Sequence, residues 1–537
     1  MRIALFCFAL LVGCQSKQLR FSGGAVASDH PLASKAGVAI LEQGGNAVDA
    51  AVATSFALSV VRPFSCGIGG GGFMLIASED MKPIALNYRE TAPRNASKST
   101  YQDHSSVIGP FAVGVPGAVA GLLDAHERFG LLPREVVMAP AMELARLGFN
   151  RDDAYNRALK DALEVGEPYQ KSISTLFAQQ ELVQLRGQAS VFEQIAIHGK
   201  AGFYEGPVAD AIVKVTGGWI TLEDLRDYEP VWVEPIVSYK KDGMSVLTMP
   251  PPSSGGVAIG QVLAIMEQLN AFKFDLQSPE YCHLYIESSK HAFADRAKHM
   301  ADPLFSTVPV NELLSDMYLD KIASSIDIDQ TKDSSNYGTH TQTPNDAGTS
   351  HVCVADADGM VVSMTETINT YFGSKVVVEP YDFVLNNEMD DFSSPKGANA
   401  YGLIQSEKNL PEPGKRPLSS MTPVIVMVDK EPIFLVGASG GPRIISSVLQ
   451  VLIHHLWYGM SPLEAVVQER LHHQWSPDFV YIETYKDSQL SLDSLESKGH
   501  KIKSRRDIGI VQAIAIQGAE QLPASDPRKG GKPAGLN

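Results

Sequence analysis

The first half of the chain has mainly the residue spacing of helices. Between residues 24 and 60, alanine and leucine recur at helical spacing twice with QGGN between them, which predicts a pair of helices. The segment from Phe111 to Gly218 is also mostly helical in pattern. The stretch PPPSSGGVAIGQVLAIMEQLN predicts a proline- and glycine-rich loop that leads into a further helix.

After Thr349 the pattern changes to that of strands. The runs SHVCVAD, GMVVSMTETI, TPVIVMV and PIFLVGA are short and rich in Val, Ile and Thr. DADG predicts a tight hairpin turn in which Gly359 takes a positive φ, and DKEP links the last two runs. GPRIISSVLQVLIHHLWYGM predicts a long helix. The fold class predicted is α+β, with sheets layered between helices rather than alternating βα units.

A polar segment, Ile326 to Asn345, precedes this change and predicts an exposed loop. The boundary itself is Gly348–Thr349. A threonine hydroxyl becomes a good nucleophile when a base takes its proton, and the α-amine of the same residue can be that base near neutral pH. An internal threonine gains this amine only if the chain is cut before it, and glycine leaves room for attack on its carbonyl. Taken alone, an ordinary junction is the simpler interpretation.

Composition and charge exclude several classes of function for this chain. The chain has 537 residues, 44% hydrophobic and 20% charged, which is typical of a globular protein larger than one ordinary domain. The formal net charge of −16 excludes binding to nucleic acid or anionic lipid through a broad positive field. Three cysteines lie outside the leader, far apart and without a CxxC pair, so neither a disulfide framework nor a zinc site is predicted.

The N-terminus predicts an exported protein. Arg2 is followed by an apolar run, Ile3 to Gly13, which is too short to span a bilayer and is typical of a signal peptide. LVGC at Leu11–Cys14 resembles a bacterial lipobox, which predicts a lipid anchor at Cys14 and a periplasmic location. An ordinary cleaved signal or a buried N-terminal element is the alternative. No later segment of the sequence is long and apolar enough for a transmembrane helix.

The glycine run in CGIGGGGFMLIA, Cys66 to Ala77, invites a nucleotide-binding interpretation. The glycines precede the predicted strand instead of following it, and no lysine with Ser or Thr completes a phosphate loop. Close packing of the backbone is therefore the prediction for this segment.

Several blocks, in order along the chain, resemble the gamma-glutamyltransferase family. They are DHPLASKAGVAILEQGGNAVDAAVA, NYRETAP, GTSHVCVADADGMVVSMTETINTYFGSKV, VLNNEMDDFSSP, GKRPLSSMTPVIV, GASGGPRII and ASDPRKGG. The resemblance implies an N-terminal-nucleophile (Ntn) hydrolase fold, an αββα sandwich. It also implies self-cleavage into a large subunit, 15–348, and a small subunit, 349–537, after a leader at 1–14. The two subunits would form one interleaved globule.

The same resemblance implies the catalytic residues. Thr349 would be the nucleophile of both self-cleavage and turnover, and Thr367 would lie near its amine. Gly440 and Gly441 match the backbone amides of the oxyanion hole. The implied reaction is γ-glutamyl transfer from glutathione and other γ-glutamyl compounds, through a glutamyl-threonine ester, to water or to an amino acid or peptide, without a cofactor.

The implied substrate site must pair an α-carboxylate and an α-ammonium, because desolvated charges left alone are costly. Its residues are Arg89 for the carboxylate, Ser419 and Ser420 as hydroxyl donors, Asp391 for the ammonium, Asn369 and Glu388 around it, and Tyr401. Tyr401 belongs to a segment, Ser394 to Pro417, that resembles the family's lid loop and favours a transferase or glutathione hydrolase. Glu388 stands where some bacterial members carry glutamine, and Ser350 where a second threonine often follows the nucleophile.

Two other functions compete with this one. GASGG satisfies the G-x-S-x-G pattern, so Ser439 could be the nucleophile of a serine hydrolase with one of the downstream histidines as base. A lipoprotein of this size could also be a non-catalytic periplasmic protein that binds γ-glutamyl compounds or peptides. A metal site is not predicted, because no HExxH occurs and the paired histidines at 454–455 and 472–473 diverge.

Overall fold

The computed structural model describes residues 17–337, 348–393, 406–483 and 492–537. The strands are β1 Gly24–Ser28, β2 Gly71–Ser78, β3 Met81–Asn87, β4 Phe149–Asn150, β5 Leu182–Val183, β6 Val231–Val233, β7 Ile236–Lys241, β8 Met244–Thr248, β9 Ser350–Asp356, β10 Val361–Thr367, β11 Val377–Val378, β12 Phe383–Val384, β13 Val424–Val428, β14 Glu431–Ser439, β15 Leu471–His472, β16 Val480–Glu483, β17 Ile502–Arg505, β18 Ile510–Gln517, β19 Glu520–Ser525 and β20 Ala534–Gly535.

The α-helices are α1 Pro31–Glu42, α2 Ala47–Val61, α3 Thr100–Asp103, α4 Ala118–Phe129, α5 Arg134–Leu147, α6 Asp153–Leu163, α7 Tyr169–Phe177, α8 Arg186–His198, α9 Ala201–Tyr204, α10 Gly206–Val215, α11 Leu222–Arg226, α12 Gly255–Gln268, α13 Pro279–His299, α14 Val310–Leu313, α15 Asp316–Ala323, α16 Arg443–Leu456, α17 Pro462–Val467 and α18 Leu492–Ser497. Among the described residues, none of these helices has the length and apolar character needed to cross a bilayer.

Two large sheets form the centre of the molecule. One has the strand order β20-β1-β9-β10-β2-β3-β6 and the other has the order β19-β18-β14-β13-β8-β7. Each sheet therefore contains strands from both sides of the Gly348–Thr349 junction. β9 lies between β1 and β10, and β10 pairs with β2, so each of the first two strands after the junction pairs with a strand that precedes it.

The side chains of the first sheet alternate between two cores. Val26, Met74 and Val354 face the core shared with α1 and α2. Their neighbours Ala25 and Phe73 face the second core, which also contains β13, β14 and helices α12, α13 and α16. Because β9 contacts both β14 and β18, the sheets stack directly on each other between two helical layers. The predicted αββα architecture is confirmed.

The predicted helical pair is α1 and α2. Asn46 caps α2 by accepting the backbone N–H groups of Val48 and Asp49, and Asp49 accepts the N–H of Asn46 in return. Every residue of α2 is buried, which explains why alanine, valine and small hydroxyl residues surround its whole circumference.

The glycine run packs closely, as predicted. A Cβ at Gly69 would lie 2.2 Å from the carbonyl oxygen of Val384, and one at Gly70 would lie 2.1 Å from that of Thr367. The run therefore allows the backbone to approach the end of β10, where a candidate catalytic residue lies. The hairpin turn between β9 and β10 has Gly359 at φ +86°, also as predicted.

Candidate active site

The Gly348–Thr349 junction lies at the start of β9 and is buried. The Oγ1 of Thr349 donates to the carbonyl oxygen of Gly348 at 2.6 Å. Thr367, at the end of the neighbouring strand β10, places its own Oγ1 2.8 Å from the same oxygen and 3.1 Å from Thr349 Oγ1. The N–H of Asn369 donates to Thr367 Oγ1 at 2.8 Å and holds it in place. Two hydroxyl groups therefore converge on the carbonyl of the bond predicted to break.

The residue before Thr349 has little room for a side chain. A Cβ at Gly348 would lie 2.8 Å from the carbonyl oxygens of Phe64 and Thr370, and 3.0 Å from that of Asn369. Any larger residue would displace this carbonyl from the two hydroxyls.

A lysine that the sequence analysis did not select also holds the nucleophile. Lys529 donates to the carbonyl oxygen of Thr349 at 2.8 Å and forms an ion pair with Asp29. Asp29 in turn accepts from the hydroxyl of Ser350 at 3.1 Å. Both charged residues occur in blocks that carry the family resemblance, Asp29 in the block that begins DHPLASK and Lys529 in ASDPRKGG, but nothing in their spacing places them beside Thr349.

Most of the predicted substrate residues line one small pocket. Its lining residues are Arg89, Thr349, Thr367, Asn369, Glu388, Asp391, Ser419, Ser420, Met421, Gly441 and Ile444. We call this the donor pocket. Tyr401 lies outside the described residues. The described end of the predicted lid segment is tied to the pocket, because the side chain of Asn409 donates to the carbonyl oxygen of Asp391 at 2.7 Å.

Arg89 is buried and is surrounded by carboxyl groups. Its Nη2 donates to Asp391 at 2.6 Å, and its Nη1 lies 2.9 Å from Glu388. Its Nε and Nη2 also donate to the carbonyl oxygens of Pro417 and Leu418. Burial opposes the charge of Arg89, but the neighbouring carboxyl groups outweigh it and raise the pKa of the guanidinium. The predicted carboxylate clamp thus pairs directly with the predicted ammonium partner.

The other carboxyl groups near Arg89 tend toward the neutral form. Burial raises the pKa of Glu388 to about 8, and the attraction of Arg89 offsets this only in part. Burial, with repulsion from Glu388, raises the pKa of Glu90 well above its ordinary value. Both groups therefore favour the neutral form more than a solvent-exposed carboxyl group does.

The two serines of the donor pocket keep their hydroxyl protons available. Ser419 Oγ accepts from the N–H of Met421 at 3.1 Å, and Ser420 Oγ accepts from the guanidinium of Arg296 at 3.3 Å. Within the described part of the chain, neither hydroxyl donates to another group. Two hydroxyl donors side by side suit a carboxylate ligand.

Gly440 and Gly441 lie between the end of β14 and the start of α16, with φ angles of +130° and +58°. Their backbone N–H groups bond to no described residue. Free amides at the N-terminus of a helix are suited to stabilising an oxyanion. Gly441 lines the donor pocket, and Gly440 faces the wider cleft on the other side of Thr349.

This wider cleft has a volume of about 770 Å³ and is rich in cationic side chains. Its charged lining residues are Arg157, Lys160, Lys375, Arg505, Arg506, Arg528 and Lys529, against Asp161, Glu164 and Asp507. We call it the basic cleft. Burial lowers the pKa of Lys375 to about 7, so its charge varies near neutral pH. The excess of positive charge contrasts with the net charge of −16 of the whole chain.

The structure does not assemble the predicted serine hydrolase. Ser439 ends β14, which is antiparallel to both of its neighbours, whereas the nucleophile elbow follows a parallel strand. The histidines downstream of Ser439 all have other neighbours in the described chain. His455 bonds to Met460, His472 to Ser446, His473 to Asp478 and His500 to His283. The ring of His454 lies near the backbone of Ala465. None of these five histidines hydrogen-bonds to Ser439 in the described chain.

One cluster has the spacing of metal ligands, although the sequence predicts no metal site. His283, Glu287 and His500 place one ligating atom each within 4.8 Å of one another. The ammonium of Lys290 lies 3.0 Å from Glu287 and already neutralises it. The cluster lies outside both the donor pocket and the basic cleft.

Comparison with known proteins agrees with this geometry. The family model described as gamma-glutamyltranspeptidase matches residues 33–536. A glutathione hydrolase proenzyme of Pseudomonas aeruginosa is 41% identical over 96% of this chain and 94% of its own length. One of Escherichia coli is 38% identical over 95% of this chain and 91% of its own.

Two solved structures are also similar to this chain in fold. A cephalosporin acylase from Bacillus halodurans matches the whole of both chains with a TM-score of 0.84 and 28% identity. A gamma-glutamyltranspeptidase from Pseudomonas nitroreducens, complexed with L-DON, is 40% identical and has a TM-score of 0.55. That match covers 58% of this chain and 96% of the other.

Proposed function

The chain belongs to the gamma-glutamyltranspeptidase family, and we propose how it acts as an autoprocessed glutathione hydrolase and gamma-glutamyltransferase. Thr349 is the nucleophile of both self-cleavage and turnover. The observation that carries this assignment is the convergence of Thr349 and Thr367 on the carbonyl oxygen of Gly348, next to a pocket of paired charges.

Self-cleavage begins when Thr349 Oγ1 attacks the carbonyl carbon of Gly348. A C–O bond forms, the carbonyl oxygen becomes an oxyanion, and the hydroxyl of Thr367 donates to it. The C–N bond then breaks, and the nitrogen of Thr349 takes up the proton that the attacking hydroxyl lost. Water hydrolyses the resulting ester, which leaves the carboxylate of Gly348 and a free α-amine on Thr349.

In turnover the new α-amine removes the proton of Thr349 Oγ1, which attacks the γ-carbonyl carbon of the donor. The donor's α-carboxylate is bound by Arg89 and by the hydroxyls of Ser419 and Ser420, and Asp391 binds its α-ammonium. The amides of Gly440 and Gly441 stabilise the oxyanion. The leaving amine departs with a proton, and water or an amino group then resolves the glutamyl-threonine ester.

The basic cleft is the side from which leaving groups depart and acceptors arrive. Thr349 lines both the cleft and the donor pocket, so a group attached to the γ-carbonyl can extend into the cleft. The cysteinylglycine released from glutathione carries a terminal carboxylate. A cleft with excess positive charge favours such anionic leaving groups and acceptors.

The predicted lipid anchor remains part of this proposal. It is supported by LVGC at the end of the apolar leader, and it would hold the enzyme at the periplasmic side of a membrane. Labelling cells with a radioactive fatty acid tests it: the protein should be labelled, and Cys14→Ser should not be. Equal absence of label in both would leave an ordinary cleaved signal.

Mass spectrometry of the purified protein tests the central assignment. We expect two fragments that meet at Gly348 and Thr349, and a single uncut, inactive chain for Thr349→Ala. Ser439→Ala is the matched control and should be cut and retain most of its activity. An active, uncut parent chain would contradict the assignment.

A further inference from the structure

Arg296, on α13, is a buried arginine without a carboxylate partner in the described chain. Only 3% of its surface is exposed. Two other buried arginines, Arg62 and Arg470, are paired, the first 2.6 Å from Asp152 and the second 2.8 Å from Asp526. Arg416 instead donates to the carbonyl oxygen of Glu229 at 2.9 Å. No described carboxylate lies within ion-pair distance of Arg296. A buried guanidinium without a counter-charge is costly, so its retention requires an explanation.

The contacts of Arg296 lead to the donor pocket. Its Nε donates to Ser254 Oγ at 2.9 Å, and its Nη2 donates to Ser420 Oγ at 3.3 Å. Ser254 Oγ donates to the carbonyl oxygen of Ser419 at 2.7 Å. Arg296 therefore lies directly behind both serines that line the pocket, while its Nη1 has no hydrogen-bond partner in the described residues.

The direction of the bond to Ser420 has a chemical consequence. Because Arg296 donates to the serine oxygen, the hydroxyl proton must point elsewhere, and Ser420 lines the donor pocket. A ligand carboxylate in that pocket would accept this proton and experience the charge behind it.

The two arginines near the pocket differ in how many carboxyl groups lie close enough to balance their positive charge. Asp391 and Glu388 already contact Arg89. Arg296 has only the more distant Asp391 to oppose the effects of its burial and of Arg89, and its pKa falls to about 10. Among the described residues, Arg296 thus places a positive charge without a paired carboxylate directly behind the donor pocket.

We propose that Arg296 is a positioning residue that orients the hydroxyl of Ser420 and supplies the charge by which the donor pocket selects a free α-carboxylate. This inference rests on the proposed γ-glutamyl transfer. Arg296 acts through Ser420 and does not touch the reacting atoms. Its effect should therefore appear in KM for carboxylate-bearing donors, whereas kcat should change little.

The test compares two donors with the same leaving group. One is γ-glutamyl-p-nitroanilide, and the other is its analogue with an α-carboxamide in place of the α-carboxylate. Arg296→Met should raise KM for the first about 10- to 100-fold, which is the usual effect of losing one hydrogen bond to a charged group. It should change KM for the second less than about threefold, and Arg296→Lys should restore part of the preference. Arg134→Met is the control, because the side chain of Arg134 bonds in the described chain to the carbonyls of Ala196 and Ile197, away from the donor pocket.

Stability gives a second readout. Because Arg296→Met removes an uncompensated buried charge, its thermal midpoint should equal or exceed that of the parent.

If Arg296→Met does not self-cleave, Arg296→Gln, which keeps amide donors toward Ser254, is used for the same comparison of the two donors. An unchanged preference between the two donors, or an equal loss of kcat/KM for both, would overturn the inference. A parent enzyme that hydrolyses neither donor would instead overturn the proposed function.

Discussion

The Oγ1 atoms of Thr349 and Thr367 lie 3.1 Å apart, and each is within hydrogen-bond distance of the carbonyl oxygen of Gly348. Before cleavage Thr349 has an amide nitrogen rather than an amine, so it cannot use its own amine as a base. Among the described residues, the hydroxyl of Thr367 is in place to donate to the carbonyl oxygen as the nucleophile attacks.

Thr367→Val should slow self-cleavage by about two to three orders of magnitude, because it removes a donor to the developing oxyanion while keeping the side-chain shape. The half-time for disappearance of the uncut chain on a denaturing gel measures this. Thr367→Ser keeps the hydroxyl and should mature within about tenfold of the parent rate. Equal rates for Val and Thr at this position would show that the contact is only structural.

Gly348→Ala should also leave the precursor largely uncut. Its Cβ would lie 2.8 Å from two carbonyl oxygens, so the scissile carbonyl must move away from the hydroxyls. Gly166→Ala is the matched control, because a Cβ there meets nothing within 4 Å. We expect the control to mature like the parent. Normal processing of Gly348→Ala would contradict the tight fit seen around the junction.

Glu366, next to Thr367, should make stability depend on pH. Burial raises its pKa from 4.5 to about 7, while hydrogen bonds from Ser55 and Tyr88 partly oppose the shift. Between these pH values the unfolded chain loses a proton that the folded chain keeps. The free energy of unfolding therefore falls as pH rises through this window, by at most about 3 kcal/mol, and levels off above it.

Glu366→Gln should remove this dependence. Thermal midpoints are best compared in the uncut Thr349→Ala chain, so that differences in processing do not enter. The Gln variant should gain stability relative to its parent at pH 9 and gain little or none at pH 4.5. A difference that is the same at both pH values would contradict the raised pKa.

The basic cleft should discriminate between leaving groups. The double variant Lys160→Ala/Arg506→Ala should lower kcat/KM for glutathione about two- to tenfold at low salt. It should leave kcat/KM for γ-glutamyl-p-nitroanilide almost unchanged, because only the leaving group of glutathione is anionic. Added salt should shrink the difference. Lys82→Ala, at an exposed lysine outside the cleft, is the control. Equal losses for both donors would argue against a role in leaving-group recognition.

Local structure could be predicted well because its causes are local. The capped pair α1 and α2, the hairpin with Gly359, and the strands after Thr349 all follow from spacing, caps and turn residues within a few positions. The incomplete phosphate-loop pattern of the glycine run predicts close packing, and the structure confirms it.

The amino-acid sequence by itself determined the reacting groups: a glycine and a threonine at a loop–strand boundary, a second threonine on the next strand, and the blocks that carry the charged and hydroxyl residues. Only the tertiary structure decided which of these groups meet. It pairs Arg89 with Asp391, places Lys529 against Thr349, and puts Arg296 behind Ser420 without a counter-charge. These contacts join residues far apart in sequence, and the packing of two stacked sheets between helices, rather than any spacing along the chain, brings them together.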